Sequence, residues 1–196
     1  KHVLILAGDH LYRMDFSKMA ALHFEKDADV TIAVQPVNKE DAARYGILKR
    51  DLAGRITDFA EKPTDPKTLR HMISRLDRQK PFLGSMGIYL FKTESLIDML
   101  DKNPMDDFGG HIIPGAINTH KVYGYDFAGY WEDIGTIRSF YDTNLALTLA
   151  NPPFNFYDPA APIYSHPRFL PGSTVNNSCM KDTLLAEGCR IDDAAI

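Results

Sequence analysis

Four short segments carry side chains suited to phosphates, sugars and divalent cations. Ala7-Gly8-Asp9 directly follows the apolar run Val3-Leu4-Ile5-Leu6. Its carboxylate therefore stands at the carboxyl end of a buried strand, the edge where open α/β sheets place ligands. There it either holds Mg2+ against a polyphosphate, since hard cations take oxygen ligands, or caps the turn. His10 and Arg13 suit both readings. Glu61-Lys62-Pro63 follows another strand, and Pro63 should hold Lys62 extended. An ammonium so placed meets a phosphate as a point charge while the carboxylate accepts sugar hydroxyls; the alternative is an exposed charge pair beside a turn. In Tyr130-Trp131-Glu132-Asp133-Ile134-Gly135-Thr136, Asp133 is either a second metal ligand or a helix cap. Gly84-Ser85-Met86-Gly87 admits a sugar close to the backbone, with the Ser85 hydroxyl as donor or acceptor, or simply packs a strand tightly. No base adjoins Ser85 in sequence, so no serine nucleophile is expected. The seven histidines lack metal-binding spacing.

These segments need a scaffold of alternating strands and helices. Residues 3–6 read as a strand buried on both faces, as in a parallel sheet. Asp15 caps a helix over 16–26 that turns Met19, Leu22, His23 and Lys26 to one side. A β-branched strand follows at 30–34, completing a right-handed βαβ unit. Segments 45–49 and 55–60 read as a hairpin, and 67–78 as a charged helix. A buried strand at 88–91 leads to a helix from Thr93 through Leu100. Residues 107–114 form a turn into a short helix, 121–126 and 130–132 are strands, and Thr136 caps a helix that runs to Ala150. Asn151-Pro152-Pro153 stops it, giving two domains, 1–150 and 151–196. The hexads 185–190 and 191–196 each open with an aliphatic residue, a pattern expected at the start of a parallel β-helix.

Composition excludes more than it identifies. A formal net charge of −4 leaves no electrostatic footprint for a nucleic-acid backbone, so a phosphate ligand must be held by local donors or a metal. No apolar run approaches the roughly 20 residues of a membrane span, and a soluble protein is expected. The two cysteines, Cys179 and Cys189, have no metal-ligand spacing and suggest a reduced, cytoplasmic setting. The chain opens at Lys1 and runs straight into a strand; both ends read as the boundaries of a fragment.

Taken in order, Leu4-Ile5-Leu6-Ala7-Gly8-Asp9-His10-Leu11-Tyr12, Arg44-Tyr45-Gly46, Glu61-Lys62-Pro63 and Ser85-Met86-Gly87-Ile88-Tyr89 resemble the glucose-1-phosphate adenylyltransferases (ADP-glucose pyrophosphorylases), of the sugar nucleotidyltransferase family. Asp107-Phe108-Gly109 with Ile112-Ile113-Pro114, the 129–136 segment, Pro152-Pro153-Phe154 and Pro162-Ile163-Tyr164 continue the series. Each motif alone is weak; their shared order and spacing are specific.

The resemblance implies an α/β, Rossmann-like nucleotidyltransferase domain with a mixed, mostly parallel sheet, followed by the start of a left-handed parallel β-helix of hexapeptide repeats. It implies that the phosphate of glucose 1-phosphate attacks the α-phosphorus of ATP, giving ADP-glucose and pyrophosphate without a covalent intermediate. Asp9, Lys62 and Asp133 would be catalytic. Asp9 and Asp133 would hold Mg2+, Lys62 the sugar phosphate, and Glu61, Ser85 and the Gly46 backbone the glucose. A homotetramer, allosteric control by metabolites and a place in glycogen or starch synthesis are further implications, with no nucleic-acid or membrane partner. The family's Gly-rich triphosphate loop should lie before Lys1, so residues 1–196 alone are expected not to turn over. Competing readings are a relative using another base or sugar, a non-catalytic regulatory subunit, and a solenoid scaffold.

Overall fold

The computed structural model describes residues 1–102, 107–164 and 166–196. Its chain divides into two compact units: Lys1–Gly8 with Met14–Gly129, and Asp9–Arg13 with Tyr130–Ile196.

The first unit is built on a six-stranded sheet. Along the chain come β1 (His2–Leu6), then α1 (Phe16–Glu25) and β3 (Val30–Val37), with β2 (His10–Tyr12) belonging to the second unit. The hairpin β4 (Gly46–Arg50) and β5 (Ile56–Glu61), α2 (Pro66–His71), β6 (Phe82–Lys92), α3 (Thr93–Lys102), a π-helical turn (Phe108–Ile112), α4 (Ile113–Ala116) and β7 (Val122–Asp126) follow. The strand order is β5-β4-β6-β3-β7, with β1 also on β6. Val30 to Val34 and Ile88 to Phe91 are buried without alternation, as befits strands covered on both faces.

Two expectations about this sheet are corrected. It is mixed but not mostly parallel: β1–β6, β3–β6, β4–β5 and β4–β6 are antiparallel, and only β3–β7 is parallel. The long apolar runs come from central position, which parallel pairing shares but does not own. Nor is β1 buried on both faces. It alternates, with Val3 and Ile5 packed against the core cluster and Leu4 and Leu6 exposed, because among the described residues the core covers one of its two faces. The strand–helix–strand unit is present, with β6 lodged between β1 and β3; both run antiparallel to it and hence parallel to each other.

Local chemistry explains the helix ends. Asp15 accepts the Ser17 N–H at 3.0 Å and caps α1, whose Met19 and His23 are buried. His23 meets the Thr31 hydroxyl at 2.8 Å through Nδ1, and burial pushes its pKa down to about 4, helped by the nearby charges of His2 and Lys92. The helix expected over 67–78 stops after His71. Beyond it Asp77 accepts the Gln79 and Lys80 N–H groups and the Ser74 hydroxyl accepts the Arg50 N–H. The Ser74 and Arg75 N–H groups, which a longer helix would use, donate instead to the Pro81 carbonyl at 3.0 and 3.1 Å, and the local Asp77 bonds hold a turn in place of helix.

The second unit pairs β2 with β8 (Trp131–Asp133), antiparallel, and continues into α5 (Ile137–Thr148). A reciprocal capping box between Thr136 and Ser139 starts α5. Arg13 donates to the carbonyls of Asn155 and Ala161 and pairs with Asp158 at 3.5 Å, tying the segment after α5 down. Further on, β9 (Thr174–Asn176) and β10 (Arg190–Asp192) pair in parallel, with Val175 opposite Ile191. Among the described residues no helix is long and apolar enough to cross a membrane.

Candidate functional site

In the second unit, two carboxylates converge on a glycine. Antiparallel pairing sets His10 opposite Asp133, and the Ile134 N–H donates to the Asp9 carbonyl at 3.1 Å, so Asp9 and Asp133 emerge side by side from β2 and β8. Asp133 Oδ1 accepts the Gly135 N–H at 2.9 Å. A Cβ added to Gly135 would lie 2.9 Å from Asp133 Oδ1 and 3.3 Å from Asp9 Oδ2. Capping of α5 falls to Thr136, which leaves Asp133 with the turn and the neighbouring carboxylate.

The Trp131 indole N–H donates to His10 Nδ1 at 3.3 Å. That bond makes Nδ1 the acceptor and puts the proton of neutral His10 on Nε2, the nitrogen 3.6 Å from Asp9 Oδ1. The Asp9 side chain remains 66 % exposed. Among the described residues no three His, Cys, Asp or Glu side chains gather as a metal cage. Two carboxylates and open space match a small hard cation that takes its remaining oxygens from water and phosphate, as Mg2+ does. The donor set at Asp9 and Asp133 fits that ion.

In the first unit, Gly46 on β4 pairs with Glu61 at the end of β5. Lys62, which Pro63 was expected to keep extended, instead has φ +43°. Its N–H donates to the Tyr45 carbonyl at 3.2 Å, prolonging the hairpin ladder by one bond while the backbone turns. Its ammonium lies 3.8 Å from Glu61 Oε1 and is 64 % exposed, open to an anionic ligand. Ser85, buried on β6, sits 3.5 Å from the Tyr89 hydroxyl and accepts the Gly87 N–H at 3.3 Å. Gly87 has φ +65°, a left-handed conformation that glycine adopts without strain.

Three residues join this group that the sequence reading left without a role. Tyr89 stacks on Phe108 with ring centroids 5.7 Å apart. Asp107 accepts the Gly110 N–H at 2.9 Å, and Gly109 lies against the Glu61 carboxylate. An Asp-Phe-Gly segment between apolar runs was the available signal, since exposed connections carry function disproportionately. Its meeting with Glu61 needs the fold.

The two acids here are pushed apart. Burial raises the Glu61 pKa, with the Asp107 charge adding to the rise and Lys62 opposing it. The Gly110 N–H, foremost, holds the Asp107 carboxyl low. Burial raises the Tyr89 phenol, and the Glu61 and Asp107 charges push it the same way. Glu61 is thus the readier proton acceptor, Asp107 a fixed negative charge, and Tyr89 a standing hydroxyl donor.

A separate cleft of about 850 Å3 lies among α1, the β4–β5 turn and the end of β7. It contains none of these residues, and its Arg50 is already paired with Asp126 at 2.8 Å.

Of the sequence-derived site residues, Asp9 and Asp133 therefore meet in one unit, and Gly46, Glu61, Lys62 and Ser85 gather in the other with Tyr89, Asp107 and Gly109. A family model described as nucleotidyl transferase matches residues 1–149, which contain all of them. With three quarters of its length matched, the chain belongs to the nucleotidyl transferase family, whose members act in general on a nucleotide and a sugar phosphate.

Proposed function

We propose that the protein acts in glucose-1-phosphate adenylyltransferase chemistry, forming ADP-glucose and pyrophosphate from ATP and glucose 1-phosphate. The observation that carries this reading is the convergence of Asp9 and Asp133 on Gly135, a carboxylate pair suited to a cation that carries polyphosphate. The ordered motifs from Leu4 to Thr136 supply the choice of adenine nucleotide and glucose.

In this reading Asp9 and Asp133 hold Mg2+, which when bound neutralises polyphosphate charge. Lys62 holds the phosphate of the sugar substrate as a point charge. Glu61 accepts hydroxyl protons in hydrogen bonds, and Ser85 and Tyr89 supply hydroxyls for the rest of the ring. An oxygen of the sugar phosphate attacks the α-phosphorus of ATP as the bond to the bridging oxygen of the β-phosphate breaks, and pyrophosphate leaves with that electron pair. Chain residues contribute by positioning and by fixed charge rather than by covalent bonding. The parallel pair β9–β10 is read as the opening of a β-helix. A cytoplasmic homotetramer under metabolite control, serving glycogen or starch synthesis, completes the proposal.

The test is pyrophosphate release by the full-length enzyme with glucose 1-phosphate and each of ATP, UTP, dTTP and GTP, with and without Mg2+. A Mg2+-dependent preference for ATP, abolished in Asp9→Asn, is the expected result. Preference for another nucleotide would assign the chain to a different branch, and near-normal turnover in Asp9→Asn would remove the metal role.

A further inference from the structure

Glycine at positions 46 and 109 answers a need for space, not for backbone freedom. Among the described glycines, left-handed φ values occur at Gly54, Gly87 and Gly188 and at neither of these two, so an L side chain suits the backbone at both. Side chains at the two positions would share one obstacle. A Cβ on Gly109 would lie 2.6 Å from Glu61 Oε2, and a Cβ on Gly46 would lie 2.9 Å from the same oxygen. Gly46 faces Glu61 across the β4–β5 ladder, while Gly109 arrives from the helical turn that Asp107 opens. Between them the carboxylate has one berth, with its other oxygen 3.8 Å from the Lys62 ammonium.

The two glycines differ in what else is at stake. A Cβ at position 46 would also lie 2.4 Å from Cζ of Phe59, a buried core ring, so alanine there disturbs packing. At position 109 the atoms closer than 3.5 Å are Oε2 and Cδ of Glu61 alone. These end a flexible side chain, which can swing away. Alanine at 109 therefore displaces the acid and spares the fold.

We propose that Gly109 is a positioning residue: its missing side chain sets where the Glu61 carboxylate stands, and through it how tightly the sugar phosphate is held. This rests on the sugar-side reading of Glu61 and Lys62 given above. Displacing a binding group by about 1 Å is enough to cost one to two orders of magnitude, and a methyl that would sit 2.6 Å from Oε2 forces a shift of about that size.

The experiment measures KM and kcat for sugar phosphate and nucleotide in the full-length enzyme carrying Gly109→Ala, Glu61→Asp, Glu61→Gln or Gly109→Ala with Glu61→Asp. Gly109→Ala is expected to raise the sugar-phosphate KM by about ten-fold or more, to leave the nucleotide KM nearly unmoved, and to melt close to the parent. Because aspartate is one methylene shorter, the double variant should bind sugar phosphate more tightly than the two single effects predict when summed. An unchanged sugar-phosphate KM in Gly109→Ala, or strict additivity in the double variant, overturns the inference. If Glu61→Gln raises that KM while Gly109→Ala does not, only the positioning role falls. If Glu61→Gln also leaves it unchanged, the sugar-side reading falls with it.

Discussion

Both units bring two carboxylates to the side of a glycine, but the company those carboxylates keep is different. Around Gly135, Asp9 and Asp133 stand with an imidazole nearby, His10 at 3.6 Å. Around Gly109, Glu61 and Asp107 stand with an ammonium nearby, Lys62 at 3.8 Å from Glu61. A permanent cation is written into the second group by the chain itself. In the proposed reading the first group takes a cation that arrives with the substrate. On that same reading, two acids beside a glycine make two kinds of site, and the neighbouring base decides which: one for a metal-borne polyphosphate, one for a phosphate with hydroxyls attached.

The sharpest way to break this comparison is to neutralise one acid at a time. Asp9→Asn or Asp133→Asn should lower turnover about a thousand-fold at saturating substrates, measured as pyrophosphate release, and excess Mg2+ should recover part of it. Glu61→Gln should act mainly on the sugar-phosphate KM. If the two groups respond alike, they are one kind of site.

Removing the built-in cation comes next. Lys62→Ala should weaken sugar-phosphate binding by about ten- to hundred-fold, the worth of a hydrogen bond to a charged group, without altering the Mg2+ requirement. Calorimetric titration of the sugar phosphate at two Mg2+ concentrations checks both halves. A smaller effect is expected from Gly135→Ala, whose methyl would stand 2.9 Å from Asp133 Oδ1. It should raise the Mg2+ concentration for half-maximal rate by about ten-fold, as displacing a metal ligand's support does, while the sugar-phosphate KM stays put. Gly109→Ala should show the opposite pattern.

The mildest test uses pH. Burial raises the Glu61 carboxyl above its ordinary value while the Gly110 N–H holds Asp107 low. As pH falls, Glu61 is therefore the first of the two to take a proton and lose its acceptor role. The acid limb of kcat/KM for sugar phosphate should begin above the usual glutamate range, and dividing the parent profile by that of Glu61→Gln should isolate it. A flat ratio would show that Glu61 does not titrate in the working range.

How much of this was legible in the sequence depends on how local the cause is. Asp133 and Thr136 lie within one turn of each other, and the cap, the strand end and the acid could all be read from seven consecutive residues. The β4–β5 hairpin was equally plain, because Asp51 and Gly54 mark its turn; Asp51 accepts the Ala53 and Arg55 N–H groups and Gly54 has φ +85°. Antiparallel pairing of β6 with β1 and β3 was not legible. A buried apolar run looks the same whichever way its neighbours point. The left-handed backbone of Lys62 ran against the preference of a residue before proline, and it depends on the Tyr45 carbonyl from the paired strand. Tyr89, Asp107 and Gly109 were visible as motif members, but that Gly109 lies against the Glu61 carboxylate is a product of the fold, and no spacing along the chain records it.

The eleven-residue strand β6 has a consequence for how the chain is made. Along one edge it holds β1 and β4, on the other β3. Val3 must find Phe91, eighty-eight residues away, and Val30 must find the same residue from the opposite side. Until β6 has been synthesised, neither β1 nor β3 has its antiparallel partner. At about 5 to 20 residues per second on the ribosome, β1 waits several seconds for β6, and a strand edge without its partner is a template for aggregation. Docking of β6 between β1 and β3 is therefore long in range, and it should weigh on the yield of folded protein.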